Sequence, residues 1–520
     1  MAAHICGATA DEIRSRWPRS LRPRICRYIR RARAAAYGDR VSLTLHHDFA
    51  DNLPALARDA KAAPAPAPRL VALNEPLALD LGLDVEWLRS EEGVQFLLGL
   101  ALPEGSRAVA QVYAGHQFGG FSPRLGDGRA MLLGEVDTEA GLRDLHLKGS
   151  GPTPLSRGGD GFGALGPMLR EFLVSESMHA LGVPTTRSLA VVATGREVFR
   201  DQGTLPGAVL ARVASSHLRV GSFQYARTSD DTALLDALTR YAVRRHHPDL
   251  LDQPQPALGL FERVVAAQAR LVASWLSVGF VHGVMNTDNM TISGETIDYG
   301  PCAFLDAYRP GAVFSSIDTA GRYAFGRQAV VAQWNLARFA ESLLPLVDPD
   351  EATAAAKATT ILEGYVPAFN EAWLDRMALK LGVARTETGL ADLVTDLHGY
   401  LEAAAVDHTE FYRQLAAAAR GDRTLVRNSS LEVERLDAWL TRWLAMSPDA
   451  AAMDAVNPLH IPRNHLVEEA LVAATSGDMS PFEALLSAVR SPYRPIPGGG
   501  RFTEPAPEAF NEGFQTFCGT

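Results

Sequence analysis

A short stretch of the chain carries side chains that could hold a divalent cation and accept a proton. Asp288 and Asn289 are adjacent, and Asp298 follows nine residues after Asn289. Carboxylate and amide oxygens are the ligands that Mg²⁺ and Mn²⁺ prefer, together with water and phosphate oxygens. A carboxylate can also accept the proton of a hydroxyl group that attacks phosphorus. The stretch therefore predicts chemistry on a phosphate group, with Asn289 and Asp298 as metal ligands and Asp288 as proton acceptor.

Cationic and glycine-containing motifs earlier in the chain could bind the phosphates. The tetrapeptide GDGR at 126–129 predicts a turn before an apolar strand, where glycine lets backbone N–H groups approach an anion and Arg129 can pair with it. A simple turn is an equally good interpretation of that motif alone. Lys148 follows on a strand, and Glu171 lies in the first turns of the next helix. A strand lysine facing a helix glutamate is the arrangement that positions nucleotide phosphates in protein kinases.

The order of motifs in the second half resembles the catalytic loop of protein kinases. The chain from 281 to 300 predicts a polar loop, a short hairpin and the triplet DYG. In the kinase motif HRDxxxxN the asparagine falls seven residues after the histidine, as Asn289 does after His282. Val284 occupies the position of the kinase base, so Asp288 is the nearest carboxylate that could replace it. A polar loop with capping Asn and Asp residues is the alternative interpretation.

Hydrophobic periodicity predicts the elements that must position these residues. It predicts a helix at Pro167–Leu181 and strands at Ala130–Val136, Leu142–Lys148, Leu189–Ala193 and Ala208–Ala214. From about residue 230 onward the prediction is mostly helical, with helices at Thr232–Arg245, Leu260–Val278, Gln328–Leu346, Pro349–Leu362 and Glu387–Ala405. The candidate residues therefore lie in a mixed α/β part of the chain and in a helical part.

Composition limits the class of protein. The 520 residues carry a net charge of -10. The sequence contains no run of about 18 apolar residues, which is the length that would predict a membrane span. Ten arginines against three acids give residues 1–40 a charge of +7, which leaves -17 for the rest and argues against a nucleic-acid-binding body. We expect the basic segment to be a poorly ordered extension or the product of an over-long start, with an organelle transit peptide as the alternative. Four cysteines without a CxxC motif predict a cytoplasmic protein, or a mitochondrial one if the source is eukaryotic.

Longer motifs resemble the selenoprotein O family, a kinase-like group of protein adenylyltransferases. The matching segments are YAGHQFGGFSPRLGDGRA, LHLKGSGPTPLSRGGDG, ARVASSHLRVGSF, HGVMNTDNM, DYG, GRYAFGRQ, NPLHIPRNH and the final CGT. The resemblance covers nearly the whole chain from about Val41 and leaves residues 1–40 outside. It implies an α+β, protein-kinase-like bilobal fold, with a mixed α/β N-lobe at 41–225 and a mostly helical C-lobe at 226–520.

The resemblance also implies roles for individual residues. In the family the nucleotide is bound reversed relative to kinases, so that the α-phosphorus faces the acceptor hydroxyl. Glu171 matches the partner of Lys148, and Asp288 matches the proposed proton acceptor. The matched metal ligands are Asn289 and Asp298. The positions that match nucleotide-binding residues are Gly126, Gly128, Arg129, Lys148, Asp160, Gly161, Arg212, Arg219 and Asp298.

Two of the four cysteines fall at notable positions of the family pattern. Cys302 lies two residues after the DYG triplet, and Cys518 is third from the end, where some family members carry selenocysteine. We hypothesise a reversible disulfide between Cys302 and Cys518 that holds the tail against the active site and changes activity with redox state. Two free thiols are the alternative.

The predicted function is transfer of AMP from ATP to Ser, Thr or Tyr hydroxyls of proteins, with Mg²⁺ or Mn²⁺ as cofactor. Transfer of UMP with Mn²⁺, a γ-phosphoryl protein kinase and an inactive nucleotide-binding pseudokinase module are the alternatives. The predicted partners are ATP and protein substrates, without nucleic acid or membrane, and the chain is expected to be a monomer. We reject a dinucleotide-binding interpretation of GFGALG at 161–166, because no acidic residue follows about 20 residues later.

Overall fold

The computed structural model describes residues 43–200, 203–229, 231–429 and 431–517. The chain divides into two units, Met1–Leu45 and His46–Thr520, and every element named below lies in the second unit. The predicted extension at 1–40 and the hypothesised disulfide partner Cys518 lie outside the described residues.

Antiparallel strands dominate the first part of the second unit. They are β1 (Ala57–Asp59), β2 (Arg69–Leu73), β3 (Val109–Gln111), β4 (Gly115–Gln117), β5 (Gly120–Ser122), β6 (Ala130–Thr138), β7 (Gly141–Lys148), β8 (Gly163–Ala164), β9 (Arg187–Arg200) and β10 (Gly203–Ala214). Within the described residues, seven of them follow the order β1-β3-β6-β7-β10-β9-β2, and β8 pairs with β10. Strands β4 and β5 form a separate hairpin. The register places Lys148 opposite Ala130 and Leu210, and His146 opposite Arg212.

Helices flank the sheet and make up most of the remaining chain. Those before β9 are α1 (Asp48–Asn52), α2 (Glu75–Asp80), α3 (Val85–Arg89), α4 (Glu91–Leu97) and α5 (Leu165–Ala180). Those that follow β10 are α6 (Val220–Thr228), α7 (Thr232–His246), α8 (Pro256–Ser277), α9 (Gln328–Val347), α10 (Glu351–Glu363), α11 (Tyr365–Leu381), α12 (Leu390–Ala404), α13 (His408–Ala419), α14 (Thr424–Asn428), α15 (Val433–Leu444), α16 (Ala450–Val456), α17 (Asn464–Thr475), α18 (Ser480–Val489) and α19 (Glu508–Asn511). A short strand pair, β11 (Phe280–Val281) and β12 (Ala303–Phe304), brackets the catalytic-loop motif. No helix in the described ranges is long and apolar enough to cross a membrane.

Side-chain caps explain where several helices begin. Asp231 accepts a hydrogen bond from Leu234 N at 3.0 Å at the start of α7, and Asp407 accepts one from Glu410 N at 2.7 Å at the start of α13. Such caps satisfy N–H groups that have no partner within the helix. Helix α11 ends at Gly382, whose φ of +67° is the left-handed conformation that favours glycine.

Two of the hydrophobic clusters in the described ranges hold most of the elements together. The larger cluster contains Phe172 of α5, Leu210 of β10 and Phe223 of α6, so the sheet, α5 and the first helices after it share one interior. The other cluster lies among α11 to α16 and contains Tyr412 and Trp443. Burial of these apolar side chains is the main favourable contribution to folding.

The observed elements confirm the predicted mixture of strands and helices. Each predicted strand and helix overlaps an observed one, although α5 begins two residues before the predicted start. The predicted short hairpin between Asn289 and Asp298 is wrong, because Thr291 and Thr296 bridge outward to Arg219 and Thr185 instead of pairing with each other. The kinase-like division into two lobes stays a prediction.

Candidate active site

Four charged side chains meet where β7, β10, α5 and the DYG segment come together. Lys148 Nζ lies 2.6 Å from Glu171 Oε2 and 2.7 Å from Asp298 Oδ1. Arg212 Nη1 lies 3.1 Å from Glu171 Oε1 and 3.1 Å from Asp298 Oδ1. Burial acts to raise the pKa of Asp298, but Lys148 and Arg212 outweigh it and hold the pKa well below its usual value. Asp298 is therefore an ionised carboxylate that two buried cations already hold in place.

A layer of buried polar groups supports Arg212 from behind. His146 precedes Lys148 by two residues on β7, so both side chains lie on one face of the strand. Arg212 Nε donates to His146 Nδ1 at 3.3 Å, and His146 Nε2 lies 3.0 Å from Asp127 Oδ2. Burial lowers the pKa of His146, which favours a neutral ring. The ring then donates from Nε2 and accepts at Nδ1, which orients the guanidinium of Arg212.

Asp288 lies on the 3₁₀ turn Thr287–Asn289 and faces the β4–β5 hairpin. Its Oδ2 accepts a hydrogen bond from Gln117 Nε2 at 3.3 Å, whereas its buried Oδ1 has no hydrogen-bond partner among the described residues. Arg219 Nη1 donates to the backbone oxygen of Asp288 at 3.2 Å. Burial raises the pKa of Asp288 to about 6. A buried carboxylate with one unpartnered oxygen and a raised pKa is suited to accept a proton from a bound hydroxyl.

Asn289 and Asp298 offer oxygens that fit a divalent cation. Asn289 Nδ2 donates to Val284 O at 3.0 Å, so the amide oxygen is the atom left for a ligand. Both ion pairs of Asp298 use Oδ1, and its φ of +62° is a left-handed conformation that aspartate tolerates better than most residues. Within the described ranges, no group of three or more His, Cys, Asp or Glu side chains could hold a metal ion alone. The two residues therefore fit Mg²⁺ or Mn²⁺ that takes further ligands from phosphate and water.

The predicted phosphate-binding glycines lie in two loops that pack against each other. A Cβ at Gly126 would lie 2.5 Å from Leu155 Cδ1, and one at Gly128 would lie 2.9 Å from Leu155 O. A Cβ at Gly161 would clash with the carbonyl group of Gly151. Gly126 and Gly128 therefore allow the two loops to approach each other, and Gly161 allows a close approach within its own loop. The sequence did not indicate these structural roles.

Arg129 and Asp160 lie in the same two loops. The backbone oxygen of Arg129 accepts from Gly149 N at 2.7 Å, which places it beside Lys148. Asp160 pairs with Arg200 Nη1 at 2.8 Å, and hydrogen bonding to Arg200 lowers the pKa of Asp160. In the described part of the chain, neither side chain forms an ion pair with the Lys148 cluster. Their contact with a nucleotide stays a prediction.

Cys302 lies in the interior beside the DYG segment. Its Sγ donates to Tyr299 O at 3.1 Å, and burial raises the pKa of the thiol to about 11. Thr516 Oγ1 donates to Pro301 O at 2.7 Å, so the tail reaches the residue next to Cys302. Thr516 lies two residues before Cys518, and the pairing of Cys302 with Cys518 stays a prediction.

Sequence reasoning missed three residues of this site. Asp127 lies between two glycines predicted to bind nucleotide, so the motif could have indicated it. His146 shares a strand face with Lys148, so the alternation of side chains along the strand could have indicated His146. Gln117 lies 171 positions from Asp288, and no local pattern connects two residues so far apart.

The chain is similar to known proteins over most of its length. A sequence model of the family described as "Protein adenylyltransferase SelO" matches residues 39–490. The chain belongs to the SelO family. Membership makes it an enzyme of the nucleotidyltransferase class.

Several SelO relatives are similar over nearly their full length. Proteins named "Protein nucleotidyltransferase YdiU" from Pseudarthrobacter chlorophenolicus and Mycobacterium sp. (strain KMS) are 59% and 58% identical over 479 and 481 residues. The alignments cover 91% and 92% of this chain and 97% and 100% of those proteins. A protein of the same name from Cereibacter sphaeroides (strain KD131) is 53% identical over 477 residues, which cover 91% of this chain and 99% of that protein.

Proposed function

We propose that this SelO-family chain transfers AMP from ATP to Ser, Thr or Tyr hydroxyls of proteins. The observation that carries the proposal is Oδ1 of Asp288, which is buried and has no hydrogen-bond partner among the described residues. Asp288 lies in the same turn as Asn289. The description of the family as a protein adenylyltransferase supports AMP as the transferred group. UMP in the presence of Mn²⁺ is the alternative for the same site. A kinase-like division at about residue 225 is part of the proposal.

Lys148 and Arg212 would bind the phosphates of ATP. Both are buried cations that now share the carboxylates of Glu171 and Asp298. Such cations stabilise the charge that develops on the phosphate oxygens during displacement at phosphorus, and they act strongly because little water surrounds them. Glu171 keeps Lys148 and Arg212 in place when the nucleotide arrives. Arg219, which contacts Asp127 and the backbone of Asp288, would bind a further phosphate oxygen.

Asp288 would accept the proton in the transfer step. The hydroxyl oxygen of the substrate forms a bond to the α-phosphorus of ATP, and the bond from that phosphorus to the oxygen bridging to the β-phosphorus breaks. The hydroxyl proton moves to the unpartnered Oδ1 of Asp288 as pyrophosphate leaves. A pKa near 6 leaves this carboxylate ionised at neutral pH and able to accept the proton.

Asn289 and Asp298 would hold Mg²⁺ or Mn²⁺. The amide oxygen of Asn289 and the carboxylate of Asp298 are the donors, and Lys148 and Arg212 orient the carboxylate through Oδ1. When bound, the cation neutralises phosphate charge and aligns the leaving group. Both metals accept oxygen ligands, so these donors suit either of them.

Labelled ATP tests the proposed reaction against its alternatives. The enzyme is incubated with protein substrate and with ATP labelled at either the α- or the γ-phosphate. Retention of the α-label on protein is the expected result, and it means adenylylation. Retention of only the γ-label means a protein kinase, and binding of ATP without transfer of either label means a pseudokinase module. Either of these two results refutes the proposal.

Substitution of Asp298 tests the assignment of the metal ligand. We expect Asp298→Ala to lower transfer by on the order of 10³-fold, because the metal loses a ligand and Lys148 loses a partner. Asp252 is an exposed aspartate in a loop after α7. Asp252→Ala is therefore the control and should keep wild-type activity. Full activity of the Asp298→Ala protein would contradict the assignment.

A disulfide between Cys302 and Cys518 is the proposed means of regulation. Oxidised glutathione would accept the two electrons and the two protons that the thiols lose, and the tail would then be held beside the DYG segment. The support is the hydrogen bond from Thr516 to Pro301. We expect a reductant to change the activity of the wild type and to leave that of Cys518→Ser unchanged, with Cys6→Ser as the control. Activity indifferent to reductant in all three proteins would refute the disulfide.

A further inference from the structure

A cavity of about 540 Å³ opens beside the turn that carries Asp288. Its walls come from the tip of the β4–β5 hairpin, from the chain around Ile317 and from the start of α9. None of the described residues that line it belongs to the predicted nucleotide or metal sites. We name it the acceptor groove and define it by Phe118, Ile317, Arg322, Arg327, Val330 and Trp334.

Hydrogen bonds connect the acceptor groove to the candidate proton acceptor. Gln117 Nε2 donates to Asp288 Oδ2 at 3.3 Å, and the next residue, Phe118, lines the groove. Phe118 N donates to Asn286 Oδ1 at 3.1 Å, and Tyr323 OH donates to the same oxygen at 2.7 Å. One hairpin therefore contacts Asp288 through Gln117 and lines the groove through Phe118.

The walls of the acceptor groove are apolar and open to solvent. Val330 is 67% exposed, Ile317 is 51% exposed and Phe118 is 39% exposed. None of the three belongs to a buried cluster of the described residues, although the ring centre of Phe118 lies 5.1 Å from that of Tyr323. Apolar side chains gathered round a cavity at this level of exposure are typical of a binding surface.

Two arginines give the acceptor groove a positive charge. The guanidinium carbon of Arg322 lies 4.7 Å from the ring centre of Trp334, and Arg327 is exposed. Asp318 also lines the cavity, but it is buried, and its carboxylate accepts hydrogen bonds from the backbone N–H groups of Arg322 and Tyr323 at 2.9 and 2.7 Å. Of the carboxylates in the described ranges, none lies within 4.0 Å of a side-chain nitrogen of Arg322 or Arg327. These two cations are therefore available to an acidic ligand.

We propose that the acceptor groove binds the segment of a protein substrate that carries the acceptor hydroxyl, through a large apolar side chain in the cavity and a carboxylate beside Arg322 and Arg327. This inference rests on the proposed transfer to proteins. It specifies the chemistry of the substrate segment that the enzyme would select. A cavity with exposed apolar side chains and two arginines that form no ion pair within the described ranges complements an apolar residue next to an acidic one. The adjacency of Gln117 and Phe118 then brings a hydroxyl near the bound residue to Asp288.

Synthetic acceptor peptides test the acceptor groove in the full-length enzyme. Each peptide carries one Ser, Thr or Tyr, and a Leu-Glu pair at varied distance on either side of it. Matched peptides carry Leu-Lys in place of Leu-Glu. We expect the wild type to transfer α-label to the best Leu-Glu peptide about tenfold faster than to its Leu-Lys match, which corresponds to about 1.4 kcal/mol. We expect Arg327→Glu to abolish this preference, because the new carboxylate offsets the charge of Arg322, which stays in the groove.

A pair of valine substitutions tests the apolar wall. Val330→Asp should lower transfer to the Leu-Glu peptides by at least about tenfold, because a carboxylate then meets both the leucine and the glutamate. Val472→Asp is the matched control, since Val472 is also 67% exposed on a helix but lies outside the groove. Acidic residues at positions 327 and 330 lie at the start of α9, where the helix dipole favours negative charge, so the variants should fold. Binding of ATP, measured by calorimetry, should be the same in all of them.

The results distinguish a failure of the acceptor groove from a failure of the proposed function. Equal labelling of Leu-Glu and Leu-Lys peptides by an active wild type, or an Arg327→Glu protein with the wild-type preference, overturns the groove alone. Weaker ATP binding in Arg327→Glu or Val330→Asp also overturns it, because the cavity then belongs to the nucleotide site. Absence of α-label from every peptide and from the enzyme itself, with ATP still bound, refutes the proposed function.

Discussion

Between Asp127 and Arg212 lies the ring of His146, and each ring nitrogen contacts one of these neighbours. The ring can accept from Arg212 only while Nδ1 carries no proton, and burial favours that neutral state by lowering the pKa. In the proposed reaction His146 is a positioning residue, because it contacts Arg212, the arginine proposed to bind phosphate, and not the phosphate itself. Its effect on the reaction should pass through the orientation of Arg212.

Substitution of His146 tests this positioning role. We expect His146→Ala to lower kcat/KM for ATP by about 10- to 100-fold, since Arg212 loses a fixed acceptor. His146→Gln should recover part of the loss, because its amide offers one N–H donor and one oxygen acceptor. Steady-state transfer of α-label measures both effects. Equal losses in the two variants, with equal falls in thermal stability, would contradict a positioning role.

At the scale of elements, α6 and the chain before β4 approach each other too closely for a side chain. Ala114 N donates to Gly221 O at 3.0 Å, and a Cβ on Gly221 would clash with Ala114 O. The same contact holds β4 beside Asp288, whose Cα would lie 3.5 Å from that Cβ. The glycine thus sets the distance between the hairpin and the turn that carries Asp288.

Alanine at Gly221 should separate these two elements. We expect Gly221→Ala to lower the free energy of unfolding by about 1 to 3 kcal/mol and transfer by at least about tenfold, because the hairpin must move away from Asp288. Gly166→Ala is the matched control. Gly166 also lies second in its helix, but the nearest atom to its Cβ would be Thr475 Oγ1 at 3.8 Å. Thermal unfolding and α-label transfer measure the difference, and similar behaviour of the two variants would contradict it.

A lysine is buried within the helical part of the chain. Lys380 of α11 is buried beside the hydrophobic cluster among α11 to α16, with Nζ 4.0 Å from the ring centre of Tyr412. No carboxylate of the described residues lies within 4.0 Å of this Nζ. Burial, with a smaller contribution from Arg376, lowers the pKa of Lys380 to about 7. The unfolded chain keeps its proton up to about pH 10, so stability should rise with pH between 7 and 10.

Replacement of Lys380 by methionine should remove this pH dependence. Lys380→Met should raise the free energy of unfolding most at pH 7 and below, and the gain should fall by about 2 kcal/mol between pH 7.5 and pH 9. Lys357→Met is the control, because Lys357 of α10 pairs with Asp348 at 2.7 Å and is partly exposed. Urea unfolding at several pH values measures the gain. A gain that does not change with pH would contradict the lowered pKa.

At the scale of the whole molecule, one buried arginine connects three distant segments. Arg463 Nη1 lies 2.6 Å from Asp306 Oδ1, just after β12, and 2.5 Å from Asp407 Oδ2, the cap of α13. Arg463 Nη2 donates to Thr503 O at 3.0 Å, and Asp306 Oδ2 accepts from Ala506 N at 3.1 Å. The DYG side of the site, the helical region and the tail are therefore held at one point.

Loss of Arg463 should affect the fold as a whole. We expect Arg463→Met to lower the free energy of unfolding by about 3 to 5 kcal/mol, because two carboxylates lose their buried partner. Arg501→Met, which breaks the exposed pair with Glu469, should cost less than about 1 kcal/mol. Chemical denaturation measures both values. A similar cost for the two substitutions would show that burial of the pair is unimportant.

Much of the fold could be predicted because its signals are local. Alternation along β7 and helical spacing along α5 placed Lys148 and Glu171 on elements that do occur. The hairpin predicted between Asn289 and Asp298 failed because its bridging residues pair with distant segments, which no window of neighbouring residues contains. Prediction succeeded where the periodicity of hydrophobic residues determines the type of element. It failed where contact with a distant segment determines the structure.

The sequence by itself determined the chemical groups of the site and their order, because residue type and spacing are properties of the chain. Lys148, Glu171 and Asp298 could be selected in this way. Only the tertiary structure decided that Asp288 is buried with one oxygen that lacks a partner in the described chain, and that Gln117 holds the other oxygen from 171 positions away. Burial and long-range contact depend on how helices and strands pack, and packing is a property of the folded molecule.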